Sequence, residues 1–258
     1  MIQFDRLEDE RADLQRRYLT AAPFPHVAID DFCDEGRLRA ACSRIPDLDR
    51  KSRDYAFAHN KFEKSRYWEL SEEFAELHEE LRSDRFAALL AFITARDVFV
   101  DPENYGGGLH QGRESSRLDM HLDFNYHPLQ PDWFREVNLL LYLNEGWEQH
   151  HGGALRLRDL RTDEEREVAV PFNRFVIQQT AAFTLHGYDT TSFPPGRYRT
   201  SIATYAYQRH KVRVERPRTT DWFPSEDSTL AKRALARCYG PVVRAKNKVL
   251  GSATAGNR

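Results

Sequence analysis

The sequence predicts a mainly β fold of the sandwich or jelly-roll type with helical flanks, on three observations. The first hundred residues carry apolar side chains at helical spacing. From the glycine run YGGG (105–108) to about residue 210, the chain breaks into short apolar segments separated by Gly, Pro and Asn. These segments follow one another without helical patterns between them, which favours antiparallel β structure over a parallel α/β sheet.

Length and charge set the first limits on function. A chain of 258 residues can bury one large core, so we expect a single domain over 1–258. Within it, 1–104 is expected to be a mostly helical support, 105–210 the β core, and 211–258 a C-terminal helix and tail. The 38 basic and 40 acidic residues leave a net charge of −2, which predicts no nucleic-acid or membrane partner.

The sequence also gives expectations for localisation and redox state. The N-terminal stretch is charged, unlike a secretory signal, and no apolar run is long enough to span a bilayer. We therefore expect a soluble, cytoplasmic protein. Cys33, Cys42 and Cys238 are scattered and odd in number, which predicts reduced thiols rather than disulfides or a zinc cluster.

The helical part is predicted from caps and spacing. Ser71 precedes a segment with Phe74, Leu77 and Leu81 on one helical face, which is typical of a capped amphipathic helix. Helices are predicted over 5–19, 34–45, 72–82, 86–93 and 228–239, with a strand at 24–32. The end of the tail (246–258) is expected to be disordered.

The β part is predicted from short apolar runs bounded by turn residues. Strands are predicted over 117–124, 136–144, 154–158, 167–170, 174–179, 182–187 and 198–208. The charged run RDLRTDEERE (158–167) is expected to be an exposed hairpin.

His121 and Asp123 are the first candidate site residues. Side chains alternate along a strand, so His121 and Asp123 in HLDF (121–124) share a face while Leu122 points the other way. One imidazole and one carboxylate can occupy two positions on a metal. Alone, the His-X-Asp spacing is weak evidence for a metal site, because such a pair of residues more often lies on a polar surface.

A third ligand must come from elsewhere, and His186 in AFTLHGY (182–188) is the best candidate within the β region. Two histidines and one carboxylate on one face of a metal leave open positions, as in non-haem Fe(II) oxygenases. Thirteen residues later, Arg199 and Ser201 share one face of RTSIATYAY (199–207). A buried guanidinium requires an anionic partner, and its planar fork suits a carboxylate.

Together these blocks resemble the Fe(II)- and 2-oxoglutarate-dependent dioxygenases, in their prolyl 4-hydroxylase-like branch. The resemblance covers about residues 105–208 and also includes the lead-in PFPHVAIDDF (23–32). Its blocks are, in order, the His-X-Asp pair, VNLLLYLN (137–144), GGALRL (152–157), FNRFVI (172–177), the HG pair (186–187) and RTSIATYAY (199–207).

The resemblance implies a double-stranded β-helix, cupin-like core that uses Fe(II), 2-oxoglutarate as co-substrate and O2. It makes His121, Asp123 and His186 the iron ligands and the catalytic centre. Arg199 becomes the partner of the distal carboxylate of 2-oxoglutarate, with Tyr142 and Ser201 as further contacts. Since relatives that halogenate carry a small residue at the Asp123 position, its carboxylate favours hydroxylation, although desaturation and ring closure use the same ligands.

Several residues compete with these assignments. Arg197 has the same strand parity as Arg199, and only its position relative to SIATYAY (201–207) favours Arg199.

The other polar candidates carry separate expectations. His110 and Gln111 are as much expected to pack as to reach the pocket, Asn125 and Tyr126 are candidate substrate contacts because they follow the ligand pair, and His127 is expected in a loop with some chance of lining the substrate mouth. The pair His150 and His151 could suggest a metal site, but adjacent residues point apart, so a solvated loop is expected. The glycine run is a poor phosphate cradle because no Lys-Ser or Lys-Thr follows it.

Three functions follow from these readings. The first is an oxygenase that hydroxylates an unactivated C–H bond of a small metabolite or biosynthetic intermediate and releases succinate and CO2. The second is a protein hydroxylase of the prolyl type. The third is a non-catalytic jelly-roll binding protein in which His121 and Asp123 are polar surface. A zinc hydrolase on a similar barrel would give Arg199 and Tyr142 no role.

Overall fold

The structure, a computed structural model, describes residues 1–48, 57–225 and 228–250. The helices in these residues are α1 Phe4–Thr20, α2 Glu35–Cys42, α3 Glu72–Arg82, α4 Asp84–Thr94 and α5 Leu230–Leu250, with one-turn 3-10 helices at Tyr67–Glu69 and Gln149–His151. The strands are β1 His26–Ile29, β2 Ala58–Lys64, β3 Phe99–Val100, β4 Gly108–Leu122, β5 Trp133–Tyr142, β6 Leu155–Asp159, β7 Glu165–Val168, β8 Arg174–Gln179, β9 Thr184–Tyr188, β10 Arg199–Arg209 and β11 Asp221–Phe223.

Caps begin three of the N-terminal helices where polar residues precede apolar patterns. The side chains of Asp34, Ser71 and Ser83 accept backbone N–H groups in the first turns of α2, α3 and α4. Each bond satisfies an N–H group that has no partner within the helix. The apolar faces that follow are buried against the sheet, as the spacing of Phe74 and Leu77 predicts.

The sheet is antiparallel and closes into a barrel-like core. Its strand order is β1-β8-β5-β10-β4-β9-β6-β7, with β2 and β11 along the other edge of β4 and β3 beside β10. The long strand β4 passes from one layer to the other, because its first half pairs with β10 and its second half with β9. The predicted jelly-roll fold with helical flanks is therefore confirmed.

Alternation along β5 separates the core from the barrel interior. Leu139 and Leu141 point outward and pack with the helices, whereas Asn138, Leu140 and Tyr142 line the interior. The helices thus cover the outer face of the larger layer, and the inner face is left for a site. None of the described helices has the length and apolar content needed to cross a membrane.

Three short strands, β2, β3 and β11, were not predicted. β2 has the polar sequence AHNKFEK, in which apolar and polar residues do not alternate. It pairs with β4 and is mostly half-buried, so its sequence needs no apolar face. The strand predicted over 117–124 begins much earlier, at Gly108. Its first half was missed because the residues from Gly108 to Ser116 are mostly polar and give no apolar strand pattern. Helix α5 runs beyond the predicted end at 239, and residues 251–258 lie outside the described residues.

The buried histidine His78 on α3 makes stability depend on pH. Its ring stacks on Trp68 at 3.9 Å, and burial, helped by the charge of Arg82, lowers its pKa to about 4. The His78 ring takes up a proton near pH 6.5 in the unfolded chain but only near pH 4 in the folded chain. The stability that the neutral ring contributes is therefore complete above pH 6.5 and is lost as the pH falls toward 4.

We expect His78→Phe, which keeps an aromatic ring but cannot titrate, to remove about 2 kcal/mol of the stability difference between pH 7 and pH 4.5. Urea unfolding of both proteins at the two pH values measures this difference. An unchanged difference in the variant would show that His78 does not titrate as described.

Candidate active site

Strand register arranges the polar residues of the barrel interior in rows. Ser201 on β10 lies between His110 on β4 and Tyr142 on β5, while Arg199 lies directly opposite Gly112 on β4. All five residues line one interior cavity of about 190 Å³. A Cβ atom on Gly112 would lie 2.7 Å from the hydroxyl oxygen of Ser116 and 3.4 Å from Cβ of Arg199, so a side chain here would displace its neighbours.

A β-bulge in β4 turns His121 toward this cavity. Leu118 pairs with Tyr188 and His121 pairs with His186, so β4 advances three residues while β9 advances two. His121 and His186 therefore share a face, with ring centroids 4.2 Å apart. The close approach of the two strands also requires Gly187, where a Cβ atom would lie 2.6 Å from the carbonyl oxygen of Leu118.

His121, Asp123 and His186 converge in the cavity. Asp123 Oδ1 lies 3.7 Å from His121 Nε2, and Asp123 Oδ2 lies 3.5 Å from His186 Nε2. One ligand atom from each residue lies within 4.8 Å of the others. Ligand atoms about 2.1 Å from one ion and at right angles to each other are about 3 Å apart, so small side-chain movements would bring all three onto one ion.

The protonation states of the two histidines suit metal binding. His121 Nδ1 lies 2.9 Å from the carbonyl oxygen of Asp119, which places the ring proton on Nδ1 and leaves Nε2 free to bind. Burial lowers the pKa of His121, although Asp123 opposes this effect. Burial, reinforced by His121, lowers the pKa of His186 to about 3. Both rings are therefore neutral near pH 7.

Asp123 is held as a carboxylate. Burial alone would raise its pKa, but the Arg135 guanidinium and the two histidines outweigh burial and hold the pKa well below its usual range. Arg135 Nη1 lies 3.0 Å from Asp123 Oδ2, and Asn138 Nδ2 donates to the same oxygen at 2.7 Å. The donor set of two neutral imidazoles and one carboxylate fits a ferrous ion.

Arg199 supplies a buried cation in the same cavity. Its Nε donates to the carbonyl oxygen of Gly153 at 2.6 Å, and its guanidinium lies 3.9 Å from the centre of the Tyr188 ring and 5.2 Å from that of Tyr142. The bond to Gly153 uses Nε and leaves the terminal nitrogens beside Tyr142 for a carboxylate. The rival Arg197 precedes β10, is exposed, and does not line this cavity.

Of the remaining polar candidates, only His110 lines the cavity. Gln111 bonds the backbone of Leu48 and Pro46, and His127 is buried 3.4 Å from Asp101. Asn125 and Tyr126 bond backbone groups within 214–218. His151 is also buried, and its Nδ1 accepts the Glu148 N–H, so the expectation that His150 and His151 both lie in a solvated loop was wrong for His151.

The structure adds cavity residues that sequence reasoning missed. These are Lys61 and Glu63 on β2, Tyr188 on β9, Tyr205 on β10 and Trp222 on β11. Trp222 is the register partner of His121, and the two rings lie 4.8 Å apart. Its strand is only three residues long, so the sequence carried no strand signal for it.

Comparisons with known proteins agree with this geometry. Residues 104–207 match the model of the 2OG-Fe(II) oxygenase superfamily, where 2OG is 2-oxoglutarate, and this segment contains all three converging residues and Arg199. No protein with a curated function matches the sequence significantly.

Solved structures share the fold at low identity. A prolyl-4-hydroxylase of Pseudomonas putida is 18% identical, with a TM-score of 0.55 and coverage of 78% of this chain and 99% of the other. A Trichoplax adhaerens prolyl hydroxylase, solved with a hypoxia inducible factor peptide fragment, is 14% identical, with a TM-score of 0.54 and coverage of 80% and 92%.

HygX of Streptomyces hygroscopicus, solved with nickel and 2-oxoglutarate, is 13% identical, with a TM-score of 0.50 and coverage of 74% and 85%. These structures support the fold, and the matched segment supports the family predicted from the sequence. Residues 104–207 are therefore similar to the 2OG-Fe(II) oxygenase superfamily, the family that the sequence resembles.

Proposed function

We propose that the protein hydroxylates an unactivated C–H bond of a small metabolite or biosynthetic intermediate, with Fe(II), 2-oxoglutarate and O2, and releases succinate and CO2. The observation that carries this proposal is the convergence of His121, Asp123 and His186 in one cavity that Arg199 also lines.

The proposed roles follow from the contacts in the cavity. His121, Asp123 and His186 would hold the iron, and a set of three protein ligands would leave coordination positions for 2-oxoglutarate and O2. Arg199 binds the distal carboxylate of 2-oxoglutarate, while Tyr142 and Ser201, on the adjacent row, offer hydroxyl groups to the same carboxylate. Bound iron supplies the oxidative chemistry that cleaves the co-substrate and the C–H bond.

The protein contributes orientation and exclusion of water. His121 is held through Nδ1 by Asp119, and Asp123 is held through Oδ2 by Arg135 and Asn138, so both donors are oriented before metal binding. Trp222 stacks on Phe57, with ring centroids 5.0 Å apart, and its ring lies tilted against that of His121 at 4.8 Å, so it covers one side of the site. Such shielding protects the reaction from solvent.

The cavity lining favours a small polar substrate. Lys61 and Glu63 project from β2 into the cavity, so charged groups remain beyond the proposed metal ligands and Arg199. Two neighbours are linked to small molecules: HygX has been solved with hygromycin B, and SnoN belongs to nogalamycin biosynthesis. The prolyl hydroxylase solved with a peptide keeps protein hydroxylation as the second candidate.

The non-catalytic reading is disfavoured by burial. His121 is 6% exposed and His186 is 9% exposed, whereas a pair of surface residues would face bulk water. Two inward histidines beside a buried carboxylate are difficult to explain by solubility alone.

Succinate release tests the proposal. The iron-loaded enzyme with 2-oxoglutarate should form succinate faster with a small-molecule substrate from a panel of amino acids, nucleosides and secondary-metabolite scaffolds than without added substrate. Mass spectrometry should show a product heavier by one oxygen atom. Stimulation by proline-containing peptides alone would instead establish the protein-hydroxylase function.

A further inference from the structure

Arg135 is a charged side chain enclosed in the protein interior. Its side chain has no exposed surface, and its guanidinium lies between the rings of Phe124 and Tyr205, 3.9 and 3.5 Å from their centres. Burying a guanidinium in this way is costly unless it has an anionic partner. Its ion-pair partner among the described residues is Asp123, a proposed metal ligand.

A second β-bulge places Arg135 on the inner side. Val137 pairs with Ala206 and Arg135 pairs with Tyr207, so Glu136 is an extra residue on β5. Simple alternation would put Glu136 on the face of Asn138. The bulge instead gives that face to Arg135 and directs Glu136 toward Arg96, whose Nε lies 3.5 Å from its carboxylate.

The same carboxylate oxygen of Asp123 receives two contacts. Asn138 Nδ2 donates to Oδ2 at 2.7 Å, and Arg135 Nη1 lies 3.0 Å from that oxygen. The hydrogen bond from Asn138 and the ion pair with Arg135 therefore both engage Oδ2. Within residues 1–48, 57–225 and 228–250, no side chain donates a hydrogen bond to Oδ1, which lies 3.7 Å from His121 Nε2, while Oδ2 lies 3.5 Å from His186 Nε2.

We propose that Arg135 is a positioning residue that, together with Asn138, fixes Asp123 as a one-oxygen ligand by occupying Oδ2 and presenting Oδ1 to the metal. The inference rests on the proposed metal site. Arg135 acts through Asp123 and does not touch the metal. A hydrogen bond and an ion pair on one oxygen also keep the carboxylate from rotating toward two-oxygen binding, which would take up a coordination position needed by a co-substrate.

Metal affinity, measured without turnover, tests this role. Titration of the metal-free full chain with Mn(II) in a calorimeter gives the Kd for wild type, Arg135→Met, Arg135→Lys and Asn138→Leu. Arg156→Met is the control, because Arg156 is a partly buried arginine on the same sheet whose carboxylate partners, Glu165 and Asp189, do not line the cavity.

We expect Arg135→Met to weaken Mn(II) binding about 10- to 100-fold, as partners of metal ligands commonly do. Arg135→Lys, which keeps the charge but not the planar fork, should lose less. Asn138→Leu should also weaken binding, and Arg156→Met should leave the Kd within about twofold of wild type.

Wild-type Mn(II) affinity in folded Arg135→Met would overturn the inference. If Arg135→Met does not fold, the test is made with Asn138→Leu, which removes the other contact to Asp123 Oδ2 and changes the side-chain size little. Unchanged Mn(II) affinity in folded Asn138→Leu would then overturn the inference. Failure of the wild-type protein to bind Mn(II) would instead contradict the proposed function itself, so the two failures can be told apart.

Discussion

Replacing His186 by alanine is expected to weaken metal binding by more than about 100-fold and to abolish succinate formation. Loss of a ligand should cost more than the roughly 10- to 100-fold that loss of a ligand's partner costs. Only two of the three proposed metal ligands, His121 and Asp123, then remain. Calorimetric Mn(II) titration and succinate assays with Fe(II) measure the two effects.

His150→Ala provides the control for this experiment. His150 is an exposed histidine outside the cavity, with a side chain that is 68% exposed, so its removal should change neither metal affinity nor turnover. Near-wild-type metal affinity in folded His186→Ala would remove His186 from the metal site.

Replacing Arg199 by methionine is expected to raise the KM for 2-oxoglutarate about 10- to 150-fold. This range corresponds to the 1.5–3 kcal/mol typical of a hydrogen bond to a charged group. Metal affinity should change little, because Arg199 contacts Gly153, Tyr142 and Tyr188 and none of these is a proposed metal ligand. Kinetics at saturating Fe(II) with varied 2-oxoglutarate measure the KM.

Arg197→Met is the matched control because Arg197 lies two residues away but is exposed outside the cavity. It should leave the KM for 2-oxoglutarate unchanged. A larger KM effect from Arg197 than from Arg199 would mean that the carboxylate site has been assigned to the wrong arginine.

Much of the fold was predictable because local patterns and tertiary packing agree. The capped helix after Ser71 buries the face that its spacing indicates, and the apolar run at 136–144 forms most of the buried strand β5. The shared face of His121 and Asp123 follows from the alternation of side chains along a strand. The resemblance then supplied the partners that alternation cannot find, since His186 is 65 residues from His121 and is brought beside it only by strand pairing.

The cavity residues that the sequence did not predict depend on β-bulges and on a strand without an apolar pattern. Arg135 and Leu118 reach the interior because β5 and β4 each contain an extra residue, and nothing local in the sequence marks either bulge. Lys61 lies on a strand with no apolar alternation, paired only with β4. These residues decide how Asp123 is held and what lines the cavity, so the finer properties of the site required coordinates.

Anaerobic addition of Fe(II) and 2-oxoglutarate to the purified protein tests the central claim most directly. If the three donors and Arg199 form one site, the folded protein should develop the weak visible absorption band of a keto acid chelated to ferrous iron, and Asp123→Ala should weaken it. A folded, iron-replete wild-type protein that binds 2-oxoglutarate without any such band would contradict the account.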